Sequence, residues 1–389
     1  MKKQKICIIG GSITGLVTAI GLSKLNCNID LFMGKKNSNL KSHRTIAISQ
    51  DNYDFLKNLN ILKSLNKKEL WPCSKMKLYT QIENQKLSEV FDLNNDNRKK
   101  QQILYMSEYS RITKSMESRV KKIKSISLIQ NKKISKIINS GLLQSVKFKN
   151  NNSKYNLIIV CTGSNSDLVK SLFNKGFIDH SYGEMSITTM LKHSPIKNNT
   201  ARQVFLDNGI LALLPISNTR TSIVWSVKKD LYKKNDFIIK NKIKLYTKKF
   251  LKKTKFTSKI EYVDLKFLIR NKYYENRTLL FGDALHVVHP FAGQGFNMIL
   301  RDLSSLIGIL ENKINLGLDI GSSDILSEFT EKTKSRNFIH SISIDFLKDF
   351  FSFKNKLFNK FRYSILKNLN NNNYLKDRFL NVANKGFKF

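Results

Sequence analysis

Cysteine is scarce in this 389-residue chain, and Cys7, Cys27, Cys73 and Cys161 are the only four. None forms a CxxC pair or a metal-like cluster, which excludes a disulfide framework and points to a reducing compartment. Acidic residues are also few, 29 against 68 lysines and arginines, leaving a formal charge of +39. Such a balance ordinarily signals nucleic acid or an anionic membrane. Here Lys, Asn and Ile are spread along the whole chain, as in NNDNRKKQQ (94–102) and NNNNYLK (370–376), a compositional bias more than a concentrated patch. No nucleic-acid motif accompanies the charge, so no nucleic-acid partner is expected. Attraction to anionic lipid headgroups survives as an expectation.

Long apolar runs are missing too. MKKQKICIIGGSITGLVTAIGL has the outline of a signal peptide, but glycines 10, 11, 15 and 21 interrupt it and no small-residue cleavage site follows. No other segment reaches the roughly 20 apolar residues of a membrane span. The expectation is a soluble body kept in the cytoplasm, peripheral at the inner face of the cytoplasmic membrane.

What is present is a core-sized hydrophobic fraction of 41% and an alternating element pattern. KICIIGG (5–11), SITGLVTAIGLSKL (12–25) and NIDLFM (28–33) read as strand, helix, strand, a βαβ opening whose sheet is buried on both faces. HRTIAISQDNYDFLKNLNIL (43–62) reads as a loop running into a helix, and 111–123 as helical. Short strands are expected within 71–99, longer ones from about 180 to 269, and a basic amphipathic helix over 236–252. TLLFGD (278–283) returns to the style of the first strands, GQGFNMILRDLSSLIGIL (293–310) reads as a helix, and 325–369 as helical and aromatic-rich.

Three glycine-bearing turns carry the chemistry. In GGSITG (10–15), Gly10 permits a tight strand-to-helix turn and Gly15 a close helix–strand approach, so that free amides face a pyrophosphate. Ser12 occupies the middle glycine position, and Met33 stands where an acid would hold ribose hydroxyls, with Asp30 the nearest carboxylate. The pattern by itself fits an ordinary turn as well as a dinucleotide site. NLIIVCTGSNS (156–166) is a strand breaking into a second such turn. The third stretch, GDALHVVHPFAGQGFN (282–297), is the most informative. It poses a choice between a metal or proton site on His286 and His289 and a backbone cradle for a large anionic cofactor. Neither histidine has a Cys, Asp or Glu at metal-ligand spacing, so no metal is expected. The cradle reading places Asp283 at a strand end facing sugar-like hydroxyls, with Pro290 stiffening the loop. Gly293 and Gly295 then open a helix whose dipole favours negative charge on a planar ligand.

GDALHVVHPFAGQGFNMILRDLSSL (282–306) resembles the GDAxHxxxPxxGQGxNxGxxD signature of flavoprotein aromatic hydroxylases of the para-hydroxybenzoate hydroxylase fold. More narrowly it is similar to the UbiH/UbiF/Coq-type ubiquinone-biosynthesis hydroxylases. HRTIAIS (43–49) and NTARQVFLDNGILALLPISNTRTSIVWS (199–226) resemble further segments of that family, in the same order. The resemblance implies an α/β fold: a Rossmann-like FAD-binding domain interleaved with a smaller mixed-sheet substrate domain and a helical C-terminal tail. The expected partition is 1–70, 100–175 and 270–320 for FAD, 71–99 and 176–269 for substrate, and 321–389 for the tail.

It also implies roles. Gly10, Gly11, Ser12 and Gly15 would face the FAD pyrophosphate, and Arg44 would reach the FAD from the loop after the second strand. Gly163 with Ser166 would remain from the middle motif, where CTGSNSDLV (161–169) has Thr162 and Val169 in place of the family's acid and arginine. Gly282 and Asp283 would serve the ribityl chain. Pro290, Gly293, Gln294, Gly295, Phe296 and Asn297 would line the isoalloxazine, with Pro290 and Gly293 nearest the ring. YMSEYSRI (105–112) resembles a segment that usually offers a polar FAD contact. The implied reaction is hydroxylation of a polyprenylated phenol or quinone precursor, with NADPH or NADH reducing the FAD and O2 as oxidant. No protein base is required by that scheme. The lysine- and phenylalanine-rich tail FIHSISIDFLKDFFSFKNKLFNKFRYSIL (338–366) suits an interfacial helix, a partner contact or a helix packed on the FAD domain. The eroded phosphate motifs leave one alternative, a non-catalytic subunit of a quinone-biosynthesis complex.

Overall fold

The computed structural model describes residues 3–352 apart from 35–41, 66–68, 82–86, 95–101, 133, 149–150 and 233, together with scattered positions between 365 and 378. Its first sheet has six strands in the order Tyr274–Glu275, Thr278–Leu280, Leu157–Val160, Gln4–Ile9, Cys27–Met33, Ile126–Gln130. All neighbours are parallel except the first pair. Helices cover such a sheet, so its strands read as unbroken apolar runs instead of alternating ones. Ile6, Ile8, Leu31, Ile158 and Ile159 are accordingly fully buried. Each contributes about 1.5–3 kcal/mol of transfer free energy.

Seven helices occur among the described residues: α1 (Ile13–Leu22), α2 (Gln50–Asn58), α3 (Tyr109–Lys121), α4 (Asp167–Leu172), α5 (Asp236–Thr247), α6 (Gln294–Asn315) and α7 (Ser323–Ser352). All ten residues of α1 are buried, because it lies between the sheet, α3 and α6. No described helix is long and apolar enough to cross a membrane. Most of 353–369, expected to continue the last helix, lies outside the described residues.

The second sheet is larger and mixed. Its path runs His286–Val287, Glu261–Arg270, Phe177–Lys192, Arg220–Lys228, Gly209–Ser217, Thr200–Leu206, Lys75–Gln81, Leu87–Asn94, with Lys255–Phe256 pairing off it. Pieces 75–94 and 177–270 thus join one sheet although the FAD-side elements separate them in sequence. One face packs on α5 through Ile239 and Ile243, around Trp225. A second apolar cluster joins Met190, Phe205 and Ile210 to Ala47, Phe291 and, from α7, Ile344.

One sequence reading is corrected here. Thr45–Ser49 is a strand and not part of a loop, and it pairs antiparallel with Leu104–Glu108, which also pairs with Trp71–Cys73. Its alternation is masked in the sequence because both faces are covered: Ile46, Ala47 and Ile48 are all buried.

Candidate functional site

Two helix starts converge on the C-terminal end of the parallel sheet. At the first, Gly10 adopts φ +131°, and a Cβ there would come within 2.7 Å of the Cys161 carbonyl. A Cβ on Gly15 would lie 1.8 Å from the Gly10 carbonyl, so only glycine lets α1 start this close to its strand. The first turn of α1 carries no acidic residue and Ser12 makes no capping bond, which leaves its amides free for an anion. Gly11 lies against the Met33 side chain. Asp30 cannot replace the missing ribose acid: it is 7% exposed, 2.7 Å from the Lys5 ammonium and accepts from the Tyr155 hydroxyl at 2.8 Å. Beyond Met33 opens a cleft of about 310 Å3, lined among others by Gly34, Gln130 and Asn131, whose lining includes one carboxylate, Glu117.

Between the helix starts lies the turn after Leu157–Val160. Gly163 (φ +82°) faces open space. Thr162 shares a 2.7 Å hydrogen bond with Ser166, which caps α4 by accepting from the Val169 amide, while Val169 is fully buried. The family's arginine position has therefore become core, and the remnant motif shapes a turn.

The third stretch builds the other helix start. Gly282 is buried against Thr14 of α1 and serves packing. Asp283 reaches solvent, yet protein surrounds its carboxylate closely enough to raise its pKa by desolvation, against the lowering pull of His286, Arg44 and Lys266. That combination describes a carboxylate on the floor of a crevice with cations around it. Arg44 is exposed nearby. Pro290 is exposed, and Gly293 caps α6 in the left-handed region (φ 65°) with room for no side chain, since a Cβ would stand 2.7 Å from that of Ala47. Gly295 opens onto free space.

Asn297 departs from expectation. It is fully buried, and its side chain accepts from the Ser49 amide (3.0 Å) and Asn52 (2.9 Å) while donating to the carbonyls of Ala47 (3.0 Å) and Gly293 (3.1 Å). It fixes the loop 290–293 to the Thr45–Ser49 strand, so its side chain is engaged within the protein. Phe296 is half-buried against the main core.

The two histidines also change character. Each has a carboxylate that only the fold supplies, and each carboxylate has a cation from α7. His286 donates to Asp302 (3.1 Å), which accepts further bonds from Arg336 and Asn337, both at 2.8 Å. Burial raises the Asp302 carboxyl, but these donors prevail and hold it below the usual range. His289 lies 3.3 Å from Glu184, which is 3.5 Å from the Lys348 ammonium. Asp302 is the final residue of the signature quoted above, so a signal for it existed. Glu184, Asn52, Arg336 and Lys348 carried none, because their roles depend on contacts distant in sequence.

FAD fits these residues. The Gln294 side-chain oxygen at the first position of α6 is buried with no partner among the described residues, the start of α6 carries no acid, and Gly163 and Gly295 leave their surroundings open. Such an orphaned acceptor suits a ligand N–H.

Comparison with known proteins agrees. Residues 3–317 match the model of the FAD binding domain family, and the chain belongs to that family. It is 25% identical to the mitochondrial ubiquinone biosynthesis monooxygenase COQ6 of Dictyostelium discoideum, over 97% of this chain and 90% of that one. It is 30% identical to the ubiquinone hydroxylase UbiL of Rhodospirillum rubrum over 44% of this chain and 41% of that one. Among solved structures, p-nitrophenol 4-monooxygenase PnpA of Pseudomonas putida superposes with a TM-score of 0.81 at 12% identity, covering 100% and 99% of the two chains. HpxO of Klebsiella pneumoniae, in complex with FAD and uric acid, superposes with a TM-score of 0.76 at 14% identity, over 98% and 96%. The fold is that of FAD-dependent monooxygenases, and the chain is an FAD-dependent oxidoreductase.

Proposed function

We propose that this chain is a monooxygenase that uses FAD, NAD(P)H and O2 to hydroxylate the ring of a polyprenylated phenol or quinone precursor in ubiquinone biosynthesis. The observation that carries this is the stretch 282–297, whose signature positions are intact and whose fold leaves an open, amide-lined helix start beside a closed apolar cluster. Its setting in a chain similar to COQ6 over nearly its whole length supplies the substrate class. Bound FAD supplies the redox chemistry that activates O2. The protein's own tasks follow from its residues. The α1 amides bind the phosphates, Asp283 accepts from hydroxyls of the cofactor chain, and the start of α6 stabilises negative charge at the ring's edge. The cluster around Phe205, Ile210 and Phe291 excludes water from the reacting face.

The test is to load the purified protein with FAD and supply NAD(P)H, labelled dioxygen and short-chain prenylated phenols. A ring-hydroxylated product carrying one labelled oxygen is expected. A colourless protein that takes up no FAD would instead mark a structural subunit.

The same reading includes work at a membrane surface. Its support is the α5 face, where Phe237 (74% exposed), Leu245 (52%) and Ile238 (42%) stand among the lysines of 228–255. Phe338, Ile342 and Phe346 form a second exposed stripe on α7. Sedimentation with anionic vesicles tests it, and recovery entirely in the supernatant would count against it.

A further inference from the structure

We propose that Glu261, at the start of a strand of the large sheet, is a positioning residue that holds Arg44 in place for the phosphates of bound FAD. The proposal rests on the reading of the crevice at Asp283 as the FAD site, and it adds what aims the cation beside that crevice. Arg44 is exposed and immediately precedes the strand Thr45–Ser49. Burial raises the Asp283 carboxyl, and Arg44 is one of three neighbours near enough to pull it back. That attraction alone does not order an exposed arginine, because ion pairs open to water are weak and the side chain has many rotamers.

What the fold fixes is the backbone that carries it. The Arg44 carbonyl accepts from the Tyr109 amide at 2.8 Å, where α3 begins. The Arg44 amide donates to Ser42 Oγ at 3.3 Å. Ser42 in turn donates to Glu261 Oε2 at 3.2 Å, and the His43 amide donates to Glu261 Oε1 at 2.5 Å. Both oxygens of one carboxylate therefore grip the two residues before Arg44, and a charged acceptor makes such bonds about twice as strong as a neutral one. Glu261 itself is half-buried and held in register opposite Thr188 in the large sheet. Few acids are available in this chain, 29 against 68 lysines and arginines, yet the oxygens of this one go to an amide and a hydroxyl.

The consequence is a cation whose root is set before the ligand arrives. Less ordering is then required on binding, which is how preorganisation raises affinity. Phosphate suits the guanidinium because its fork meets two oxygens at once. The free amides at the start of α1, against which Gly282 packs through Thr14, supply the other part of the phosphate site. A residue of the large sheet thus tunes a cofactor contact that it does not itself make.

The experiment strips the full chain of FAD and measures rebinding by equilibrium dialysis at low and high salt, in the parent, Glu261→Leu, Arg44→Ala and the double variant. Glu261→Leu is expected to weaken FAD about tenfold and Arg44→Ala about thirtyfold. The double variant should be no weaker than Arg44→Ala alone, because the two residues act as one unit. Salt should weaken binding to the parent more than to either single variant, since both have lost the screened pull of the guanidinium. Glu261→Gln keeps an acceptor for the His43 amide and should restore most of the affinity. The melting temperature of each FAD-free variant identifies a folded protein. Should Glu261→Leu fail to fold, Ser42→Ala replaces it: this change cuts the relay to the Arg44 amide, leaves the large sheet intact, and should weaken FAD about threefold in the parent but not in the Arg44→Ala background. Losses that add in the double variant, or a salt dependence equal to the parent's, make Glu261 a tie between two sheets and overturn the proposal while FAD binding stands. A parent that takes up no FAD defeats the reading of the crevice and the proposal together.

Discussion

Asn297 shows how much one buried amide can decide. It bridges α6 to the Thr45–Ser49 strand and to the Gly293 carbonyl, so it sets the height of the loop on which a flavin ring would rest. Asn297→Ala leaves the buried Ser49 amide without its acceptor and removes one of the three acceptors of the Asn52 side chain, which keeps Ser49 Oγ and the carbonyl of residue 297. The expected cost is about 3 kcal/mol, read as a lower denaturation midpoint together with weaker FAD retention. Asp283→Ala is expected to behave differently. The residue is solvent-reachable and holds no other element, so stability should be unchanged while FAD affinity falls by about 2 kcal/mol, roughly thirtyfold. Fluorescence titration of the apoprotein with FAD separates the two. Both residues were legible in the signature, where the resemblance gave both to FAD, Asp283 to the ribityl chain and Asn297 to the ring. Sequence reports that Asn297 opens α6; only the fold reports that its side chain points inward, where it is fully buried.

At the scale of elements, α7 is the part the sequence described least well. Its helicity was legible from 325 onward, its purpose was not. Arg336 and Asn337 reach Asp302, His340 meets Arg301, and Lys348 meets Glu184, contacts spanning 34 to 164 residues. No periodicity encodes such pairings. Together they clamp both histidines of the 282–297 stretch from one helix. The clamp has a pH dependence whose sign can be worked out. Burial and the neighbouring Arg301 push His340 down to about 3 from its ordinary value near 6.5. A histidine that must stay neutral to fold gives its full contribution above the unfolded value and loses it as pH falls toward the folded one. Between pH 7 and 5 this single group should remove about 2 kcal/mol of stability. His340→Gln should flatten that part of a stability–pH profile measured by denaturant melts. A profile as steep in the variant as in the parent would place the dependence elsewhere.

At the scale of the whole molecule, two sheets and a charge remain to be connected. The βαβ opening and the return of a similar strand at 278 were legible because buried parallel strands leave runs of β-branched residues. The joining of 75–94 to 177–270 came only from resemblance, since a sheet assembled from distant pieces has no local signature. Charge is the feature composition read too evenly. Residues 228–255 contain twelve lysines and two acids, Asp230 and Asp236, a net of +10 in 28 positions, against +39 over all 389. That segment carries α5, whose buried side supports the large sheet through Ile239, Ile243 and Thr247 and whose outer side shows Phe237 and Leu245. Each lysine near an anionic surface is worth about 1 kcal/mol, so Lys240, Lys244 and Lys248 changed together to Gln should lower partitioning onto anionic vesicles more than a hundredfold. Phe237→Ser should lower it further and equally at high salt, because apolar insertion is not screened as charge is. Outward-facing substitutions on α5 leave its buried side intact, so FAD content should stay constant throughout. If the lysine variant sediments with vesicles as well as the parent does, α5 is only a solvated face of a lysine-rich protein, and the membrane contact must be sought on the stripe of α7.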